Sequence, residues 1–460
     1  MKQNILLINP WIHDFAAFNL WVKPLGLLYI GAALKHAGYS VEMIDCLNYN
    51  SGIKRNRTYS TGHFFSQEIE KPDIFRNVPR RFKRYGMPLD EFRNDLKRKK
   101  TPILICVTSH MTYWYPGVFE AIKAAKEIFP LTPVALGGIY ATLCNEHAKT
   151  NSGADYVIKG PGERQVIELA DHIAGVERDH KAIERDLQKD ISPAYELYDK
   201  LKSVSIITSR GCPFSCSYCA SSRLNSEFIS RKPEVVIAEI ERFIENLGVK
   251  DIAFYDDALF VNPKEHIIPI LKGLINNNRK IAFHTPNGLH PRYINSELTD
   301  LLYSAGFRTL RLSFEGLSTT IQDASCNKVN CRHLENALSC IMNTWQSVKK
   351  QFADPKPWRV GIYILIGLPG QKVEEVKETI NYIHKIGGQT RITEYSPVPG
   401  TKEFEKALKL CPEIETEPLA HNKSTFTTIG MGIDYKEYQN LKNMANELNI
   451  ISKKRQEVNL

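Results

Sequence analysis

The sequence predicts an α/β protein with two successive regions in which strands and helices alternate. Short apolar runs recur along the chain and end at Gly, Pro or Asn, and longer amphipathic segments separate them. That alternation favours parallel sheets covered by helices. Because 460 residues exceed one average core, we expect two or three domains, with boundaries at 1–190, 191–400 and 401–460.

The first region predicts a doubly wound parallel sheet. Its strands are expected at Ile5–Ile8, Tyr39–Asp45, Pro102–Val107, Pro133–Leu136 and Asp155–Ile158. Helices are expected at Pro24–Gly38, which Pro opens and Gly closes, and at Gly117–Ile128. Sheets of this class bind ligands at the carboxyl ends of strands, where the strand order reverses. The turns after the third and fourth strands carry the candidate ligand contacts: Ser109, Thr112, Gly137 and Gly138.

The second region contains six strand–helix units and predicts a partial barrel of six parallel strands. The expected strands are Val204–Thr208, Asp251–Tyr255, Lys280–Thr285, Thr309–Glu315, Trp358–Ile366 and Gln389–Glu394. The expected helices are Pro233–Asn246, Pro263–Asn276, Ser296–Ala305, Arg332–Lys350 and Val373–Ile386. Barrel chemistry concentrates in polar residues at strand ends. Residues 401–460 predict a small, polar, helical cap.

Three cysteines directly after the first strand of the second region form the most informative motif. They are Cys212, Cys216 and Cys219, in the run Arg210-Gly-Cys-Pro-Phe-Ser-Cys-Ser-Tyr-Cys. Three thiolates on one loop can hold three corners of a cubane 4Fe–4S cluster and leave one iron open, which favours catalysis over electron storage. Structural zinc is the alternative, but it prefers four ligands, often as two CxxC pairs, and no second pair follows. A second metal site at Cys326 and Cys331 is a further hypothesis.

At this motif the chain resembles the radical S-adenosylmethionine (SAM) superfamily. The resemblance implies that the three cysteines bind a 4Fe–4S cluster and that the amine and carboxylate of SAM chelate the fourth iron. It implies that one electron from the cluster splits SAM into methionine and a 5′-deoxyadenosyl radical. The electron would come from an external donor such as flavodoxin or ferredoxin.

The resemblance also implies SAM contacts around the cysteine loop. Tyr218 would lie near the adenine, and Asp256 or Asp257, after the second strand, would hold the methionyl ammonium by charge-assisted hydrogen bonds. Ordinary packing of the Tyr218 ring and helix N-capping by the aspartates remain alternatives.

Further SAM contacts are expected on the fourth and fifth strands. Ser313 and Glu315 share a face of the fourth strand by their spacing of two and suit the carboxylate and ribose of SAM, and Arg311 shares that face. Ion pairs inside the barrel are the competing interpretation of these residues. The turn from Gly367 to Gly370 resembles the family turn over the adenine, although ordinary turn chemistry also places glycines there.

The first region resembles the cobalamin-binding domain that precedes many radical SAM enzymes. The resemblance implies that the Ser109–Thr112 turn and the turn with Gly137 and Gly138 line the groove for the nucleotide tail of cobalamin. Domains in which a His replaces the cofactor's own base carry an Asp-x-His-x-x-Gly run after the first strand. The corresponding loop, Pro10–Phe18, does not match, so we interpret His13 as a loop histidine and not as a cobalt ligand.

Composition narrows the setting in which the protein works. The net charge of +9 is concentrated between Lys54 and Lys100, where we prefer a solvated connection to a site for an anionic partner, so nucleic acid is not an expected partner. No apolar run reaches the roughly 18 residues of a membrane span, and the N-terminus predicts a strand and not a signal peptide. Ten cysteines in a leaderless chain favour a reducing cytoplasm.

These observations predict a cytoplasmic, oxygen-sensitive enzyme that begins by cleaving SAM reductively. Methylation of an unactivated carbon with help from cobalamin is the leading hypothesis for the overall reaction. A radical rearrangement or cyclisation is the second hypothesis, and an iron–sulfur electron-transfer module without SAM turnover is the third. The residue pattern does not identify the substrate.

Overall fold

The computed structural model describes residues 2–49, 58–179, 191–276, 281–351 and 358–458, with side chains as far as residue 452. Lys54 of the basic stretch and Lys280 of a predicted strand lie outside the described residues. The chain divides into two compact units. Unit 1 comprises Met1–Leu201 and Glu415–His421, and unit 2 comprises Lys202–Ile414 and Asn422–Leu460.

Unit 1 contains a five-stranded sheet in which every neighbouring pair is parallel. Its strands are β1 (Asn4–Asn9), β2 (Ser40–Asp45), β3 (Leu104–Val107), β4 (Val134–Leu136) and β5 (Tyr156–Val157). The spatial order is β5-β4-β3-β1-β2. The strand order therefore reverses between β1 and β3, which confirms the predicted doubly wound sheet. Sheets of this class bind ligands at such a reversal.

Helices cover both faces of this sheet. They are α1 (Leu25–His36), α2 (Leu89–Arg98), α3 (Tyr115–Ile128), α4 (Ile139–Leu143), α5 (Asn145–Asn151) and α6 (Glu163–Ala174). Strand side chains alternate between faces, so Leu6 and Ile8 enter one apolar core while Ile5 and Leu7 enter the other. Burial on both faces explains why β1 is a continuous apolar run.

The basic stretch is more structured than a solvated connection. Strand Lys83–Tyr85 pairs antiparallel with both Ile12–Asp14 and Ser66–Glu68, and helix α2 follows it. A second short pair joins Phe18–Asn19 to Gly62–His63. Interspersed aromatic residues explain the order, because Phe75 and Phe82 are buried against Phe15 while the basic side chains lie around them.

Unit 2 contains six parallel strands that neighbour one another in chain order. They are β6 (Ser203–Ile206), β7 (Asp251–Phe254), β8 (Ala282–His284), β9 (Phe307–Glu315), β10 (Arg359–Ile366) and β11 (Thr390–Glu394). This topology confirms the predicted partial (β/α)6 barrel. Their carboxyl ends form one edge, where barrel folds place their chemistry.

The helices of unit 2 separate these strands and continue beyond β11. They are α7 (Ser221–Leu224), α8 (Pro233–Leu247), α9 (Ile267–Asn276), α10 (Ser296–Ala305), α11 (Thr319–Ala324), α12 (Cys331–Gln351), α13 (Val373–Lys385), α14 (Lys402–Leu408), α15 (Lys423–Met431) and α16 (Tyr435–Val458). The helical C-terminal end is therefore confirmed. Within the described ranges, no helix is long and apolar enough to cross a membrane.

Candidate active site

The cysteine loop begins immediately after β6. It is flanked by a short antiparallel pair, Ser209–Arg210 with Ile229–Ser230. Gly211 has φ +78°, and a Cβ there would lie 2.3 Å from the carbonyl oxygen of Glu227, so the loop can start its turn only with glycine. The three cysteines that follow are free and half-buried.

The three thiols lie close enough to influence one another electrostatically. Burial raises the pKa of Cys212 to about 11, and Asp257, Cys219 and Cys216 add to that rise. Burial also raises the pKa of Cys216, although the nearby Lys328 ammonium opposes the effect. Among the described residues, no three Cys, His, Asp or Glu side chains form a ready metal-binding group. Three thiols on one loop nevertheless fit the donor chemistry of an iron–sulfur cluster.

A second loop, residues 324–328, packs against the cysteine loop. The backbone N–H of Ser217 donates to the Ala324 carbonyl at 2.8 Å, and the Cys216 thiol lies 3.6 Å from the Ser325 carbonyl oxygen. The exposed Cys326 thiol donates to the Ser215 carbonyl at 2.9 Å. Cys331, by contrast, interacts with Tyr382. The two cysteines therefore face different surroundings.

Lys328, on the same loop, is a functional candidate that the sequence reasoning missed. Its buried ammonium lies 3.1 Å from Glu315 Oε1 and donates to the Tyr218 hydroxyl at 3.4 Å. Burial alone lowers the pKa of Lys328, but the Glu315 carboxylate and the Cys216 thiol outweigh it and raise that pKa above its ordinary value. A buried cation beside a cluster loop attracts anionic groups such as a carboxylate. In the sequence, Lys328 is a lone lysine after Ser325-Cys-Asn, between two predicted elements. That position is the signal that could have identified it.

The structure distinguishes the two aspartates that the sequence left equivalent. Oδ1 of buried Asp256 accepts four hydrogen bonds, from the backbone and side chain of both Thr208 and Ser209, at 2.6–2.8 Å. Asp256 thus anchors the end of β6 to β7, and burial raises its pKa despite those bonds. Asp257 is exposed, and within the part of the chain that the structure describes its carboxylate accepts a hydrogen bond from Ser221 Oγ at 2.7 Å. Asp257 is the aspartate that a ligand can reach.

A bulge at the end of β9 changes the predicted arrangement of its polar residues. Ser313 pairs with Tyr363 and Glu315 with Ile364, so the ladder skips Phe314, and Glu315 adopts φ +70°. The bulge interrupts the alternation that placed Ser313 and Glu315 on one face. Glu315 turns to Lys328, and both it and Ser313 are buried.

The guanidinium of Arg311 points away from the strand ends. Its Nη1 donates to the carbonyl oxygens of Leu310 and Arg359, each at 3.2 Å. Arg359 is the first residue of β10, so this contact lies at the amino end of that strand. Burial lowers the pKa of Arg311.

The turn after β10 is covered by helix α15. Gly367 has φ +94°, and a Cβ there would lie 2.9 Å from Thr427, whereas a Cβ on Gly430 would lie 2.2 Å from the Gly367 carbonyl oxygen. The N–H of Gly370 donates to the Gly430 carbonyl at 2.9 Å. Helix α15 of the protein itself therefore makes the close approach that glycine permits at Gly367. Gly370 remains exposed, with open space beside its α-carbon.

The residues of unit 1 that the sequence predicts to contact a ligand lie near the ends of β3 and β4. Ser109 Oγ donates to the Gly137 carbonyl at 2.7 Å and accepts from the N–H of Ala141 at 3.2 Å. Gly138 has φ +96°, and a Cβ there would lie 2.2 Å from the Ser109 carbonyl oxygen. Thr112 is buried and lies 2.9 Å from His421 Nδ1. Open space surrounds the α-carbon of Gly137, so a ligand can approach the backbone there.

The class of protein follows from comparison with known families. Residues 206–411, which begin in β6 and include the cysteine loop, match the radical SAM superfamily. Residues 206–411 therefore form a radical SAM domain, which implies an enzyme with a 4Fe–4S cluster and SAM as cofactors and a need for an electron donor.

Two curated relatives match most of the chain. The cytidylyl-2-hydroxyethylphosphonate methyltransferase of Streptomyces wedmorensis is 20% identical over 88% of this chain and 82% of its own. An uncharacterized methyltransferase of Pyrococcus horikoshii is 25% identical over 68% of this chain and 70% of its own.

The fold also matches solved structures. The radical SAM methyltransferase TsrM of Kitasatospora setae, with tryptophan and a SAM analogue bound, aligns with a TM-score of 0.64 at 18% identity over 89% of this chain and 76% of its own. A second structure of TsrM contains cobalamin and a [4Fe–4S] cluster, with a TM-score of 0.62 at 17% identity over 89% of this chain and 75% of its own. At this identity the likeness shows a shared fold.

Proposed function

We propose that this enzyme is a cobalamin-dependent radical SAM methyltransferase that methylates an unactivated carbon. The observation that carries the proposal is the presence, in one chain, of a doubly wound parallel sheet and a radical SAM domain. Relatives named as methyltransferases over most of the chain support it. So does the fold shared with TsrM, a methyltransferase solved with cobalamin.

In unit 2 the side chains around the cysteine loop suit SAM. Cys212, Cys216 and Cys219 would hold the cluster, which supplies the electron that cleaves SAM. The accessible carboxylate of Asp257 would accept hydrogen bonds from the methionyl ammonium, because charge-assisted bonds are the strongest available there. Lys328 would attract the methionyl carboxylate while Glu315 holds its ammonium in place.

Tyr218, Ser313 and Gly370 complete the proposed SAM pocket. The Tyr218 hydroxyl receives a hydrogen bond from Lys328, which fixes the ring beside the cysteine loop. A Cβ on Gly288 would lie 2.0 Å from Ser313 Oγ, so glycine there leaves room for the serine hydroxyl. We place the ribose near this hydroxyl and the adenine near Tyr218 and Gly370.

In unit 1 the residues present fit a cobalamin. Ser109 Oγ donates to the Gly137 carbonyl at 2.7 Å, and a Cβ on Gly137 would meet no other part of the described protein within 4 Å. That opening lies one strand from the β1/β3 switch, where sheets of this order take their ligands. A cobalamin bound here would supply a carrier for the methyl group.

The products of SAM test the proposal and separate the alternatives. Losing its methyl group converts SAM to S-adenosylhomocysteine, whereas reductive cleavage gives methionine and 5′-deoxyadenosine. Anaerobic protein with a full cluster, SAM and a strong reductant should form both products when loaded with cobalamin. Without cobalamin it should form only 5′-deoxyadenosine.

Each other outcome has a distinct meaning. 5′-Deoxyadenosine without S-adenosylhomocysteine from cobalamin-loaded protein would contradict methyl transfer and favour a radical rearrangement or cyclisation. Neither product from protein with a full cluster would favour an electron-transfer module. We further propose that the enzyme works in a reducing cytoplasm with a flavodoxin or ferredoxin as donor, which its ten free thiols support.

A further inference from the structure

Three adjacent strand ends in unit 1 carry a continuous chain of hydrogen bonds. Asp45 ends β2 and Asn9 ends β1, while His110 follows β3. Asn9 Nδ2 donates to Asp45 Oδ1 at 2.6 Å, and Asn9 Oδ1 lies 3.2 Å from His110 Nε2. Because the order of the strands is β3-β1-β2, the Asn9–His110 contact spans the β1/β3 switch, where this class of sheet binds ligands.

The chain of contacts fixes which nitrogen of His110 carries the proton. Asp45 accepts from Tyr198 Oη at 2.5 Å and from the N–H of Leu47 at 2.9 Å, so its carboxylate faces the amide nitrogen of Asn9. The amide oxygen of Asn9 then faces His110 and can only accept, so Nε2 of His110 is the donor. Burial lowers the pKa of His110 and favours the neutral ring. Nδ1 is left with its lone pair.

His110 contacts the end of β1 at the β1/β3 switch, whereas the side-chain contacts given for His13, His147 and His421 lie elsewhere in unit 1. His13 Nε2 lies 3.1 Å from Glu120, although not aligned for a hydrogen bond. His147 Nδ1 lies 2.6 Å from the Tyr140 hydroxyl, and His421 Nδ1 lies 2.9 Å from Thr112. For His110, the contact through Nε2 is the one side-chain contact recorded among the described residues, and its ring is only half-buried.

We propose that His110 Nδ1 is the lower axial ligand of the cobalt when cobalamin binds to unit 1. Neutral imidazole is a common metal ligand, and a ligating His usually donates its second N–H to an oriented acceptor, as Nε2 does here to Asn9. The Nδ1 lone pair would form the bond to cobalt, and the benzimidazole of the cofactor would leave it, with no proton or electron transferred. A histidine after β3 would thus replace the one that the loop after β1 lacks.

This inference rests on the proposed binding of cobalamin, and the test separates the two. The full chain is prepared from a histidine auxotroph with ¹⁵N-histidine or with unlabelled histidine, loaded with hydroxocobalamin, reduced to Co(II) and studied by electron paramagnetic resonance. Nitrogen on cobalt splits each cobalt hyperfine line into a triplet for ¹⁴N and a doublet for ¹⁵N. We expect triplets from unlabelled protein and doublets from labelled protein. His110→Ala should bind cobalamin without these splittings, and His36→Ala, altered at an exposed position on α1, should keep them.

Other results overturn the inference. Triplets that persist in labelled protein would show that the cofactor's own base is bound. Lines without nitrogen splitting would show water or an empty position below the cobalt. In both cases cobalamin is bound, so the proposed function stands while the assignment to His110 is wrong. No binding of hydroxocobalamin at all would overturn this inference together with cobalamin-dependent methyl transfer. If His110→Ala fails to fold, His110→Gln is measured in its place, and doublets that persist in labelled His110→Gln protein would assign the ligand to another histidine.

Discussion

The carboxyl edge of the unit 2 sheet has two halves with different roles. At β6 to β9 the strand ends surround the cysteine loop, with a reachable Asp257 and the buried pair of Lys328 and Glu315. At β10 and β11 the corresponding positions are occupied by the C-terminal helices. Helix α15 contacts the turn at Gly367, and Glu394 at the end of β11 bonds to Tyr438 and Lys442 of α16.

The difference teaches that a polar residue at a barrel strand end is not by itself a ligand contact. Glu394 and Glu315 both end strands, and both carboxylates are largely shielded from solvent and paired with lysine. Glu394 is held by helices that close its half of the edge, whereas the partner of Glu315 also contacts the cysteine loop. We therefore expect changes at Asp257 and Lys328 to alter SAM chemistry and changes at Glu394, which the C-terminal helices hold, to alter stability alone.

The largest expected effect is on the cluster. Cys216→Ala should lower the rate of 5′-deoxyadenosine formation by more than about a thousandfold, because two thiolates cannot hold the cluster in place of three. Product is measured by chromatography, and iron content is measured on the same samples. Cys340→Ala, which alters a half-buried thiol on α12, is the control and should retain full activity. A Cys216→Ala protein that still forms product would refute the ligand assignment.

Lys328→Met should impair both stability and SAM binding. It leaves the Glu315 carboxylate buried without its partner, which costs about 3–5 kcal/mol of unfolding free energy. The double variant Lys328→Met/Glu315→Gln removes both charges and should regain most of that stability without regaining SAM affinity. Urea unfolding and SAM titration measure the two effects. If the double variant binds SAM as the wild type does, Lys328 serves the fold only.

Glu394 should contribute to stability in a pH-dependent way without affecting SAM. Burial tends to raise its pKa, but Lys423 and Lys442 outweigh burial and lower that pKa to about 2. Since the folded-state pKa lies below the unfolded value, the contribution of about 3 kcal/mol is complete above roughly pH 5 and disappears as the pH falls towards 2. Urea unfolding of cluster-free protein should show a difference in unfolding free energy between wild type and Glu394→Gln. This difference should disappear over the same pH range. A difference in unfolding free energy that does not change with pH would contradict the lowered pKa of Glu394.

The smallest expected effect separates the two aspartates. Asp257→Asn should weaken SAM binding by about tenfold through the loss of one charge-assisted hydrogen bond, and should leave the unfolding free energy unchanged. Asp256→Asn is the matched variant and should show the opposite pattern, with a loss of about 1–3 kcal/mol in stability and nearly unchanged SAM affinity. Equal effects of the two changes on SAM binding would contradict the distinction drawn from their exposure.

Sequence reasoning was most successful where a local pattern repeats. All six strands of unit 2 overlap predicted strands, and the burial of apolar runs explains the agreement for strands such as β7 and β10, although β11 is polar and only partly buried. It was least successful in the basic stretch, where charges suggested a solvated connection while buried aromatics such as Phe75 and Phe82 order the chain. Lys328 was missed because its partners, Tyr218 and Glu315, are distant in sequence.

The sequence by itself determined the alternation of strands and helices and the cysteine loop, since both depend on residues near one another in the chain. Only the tertiary structure decided which aspartate is reachable, that helix α15 covers Gly367, and that Asn9 orients His110. These features join residues that are 36 to 101 positions apart in the chain. Burial and hydrogen bonding across such separations depend on how the strands are arranged, which no local pattern encodes.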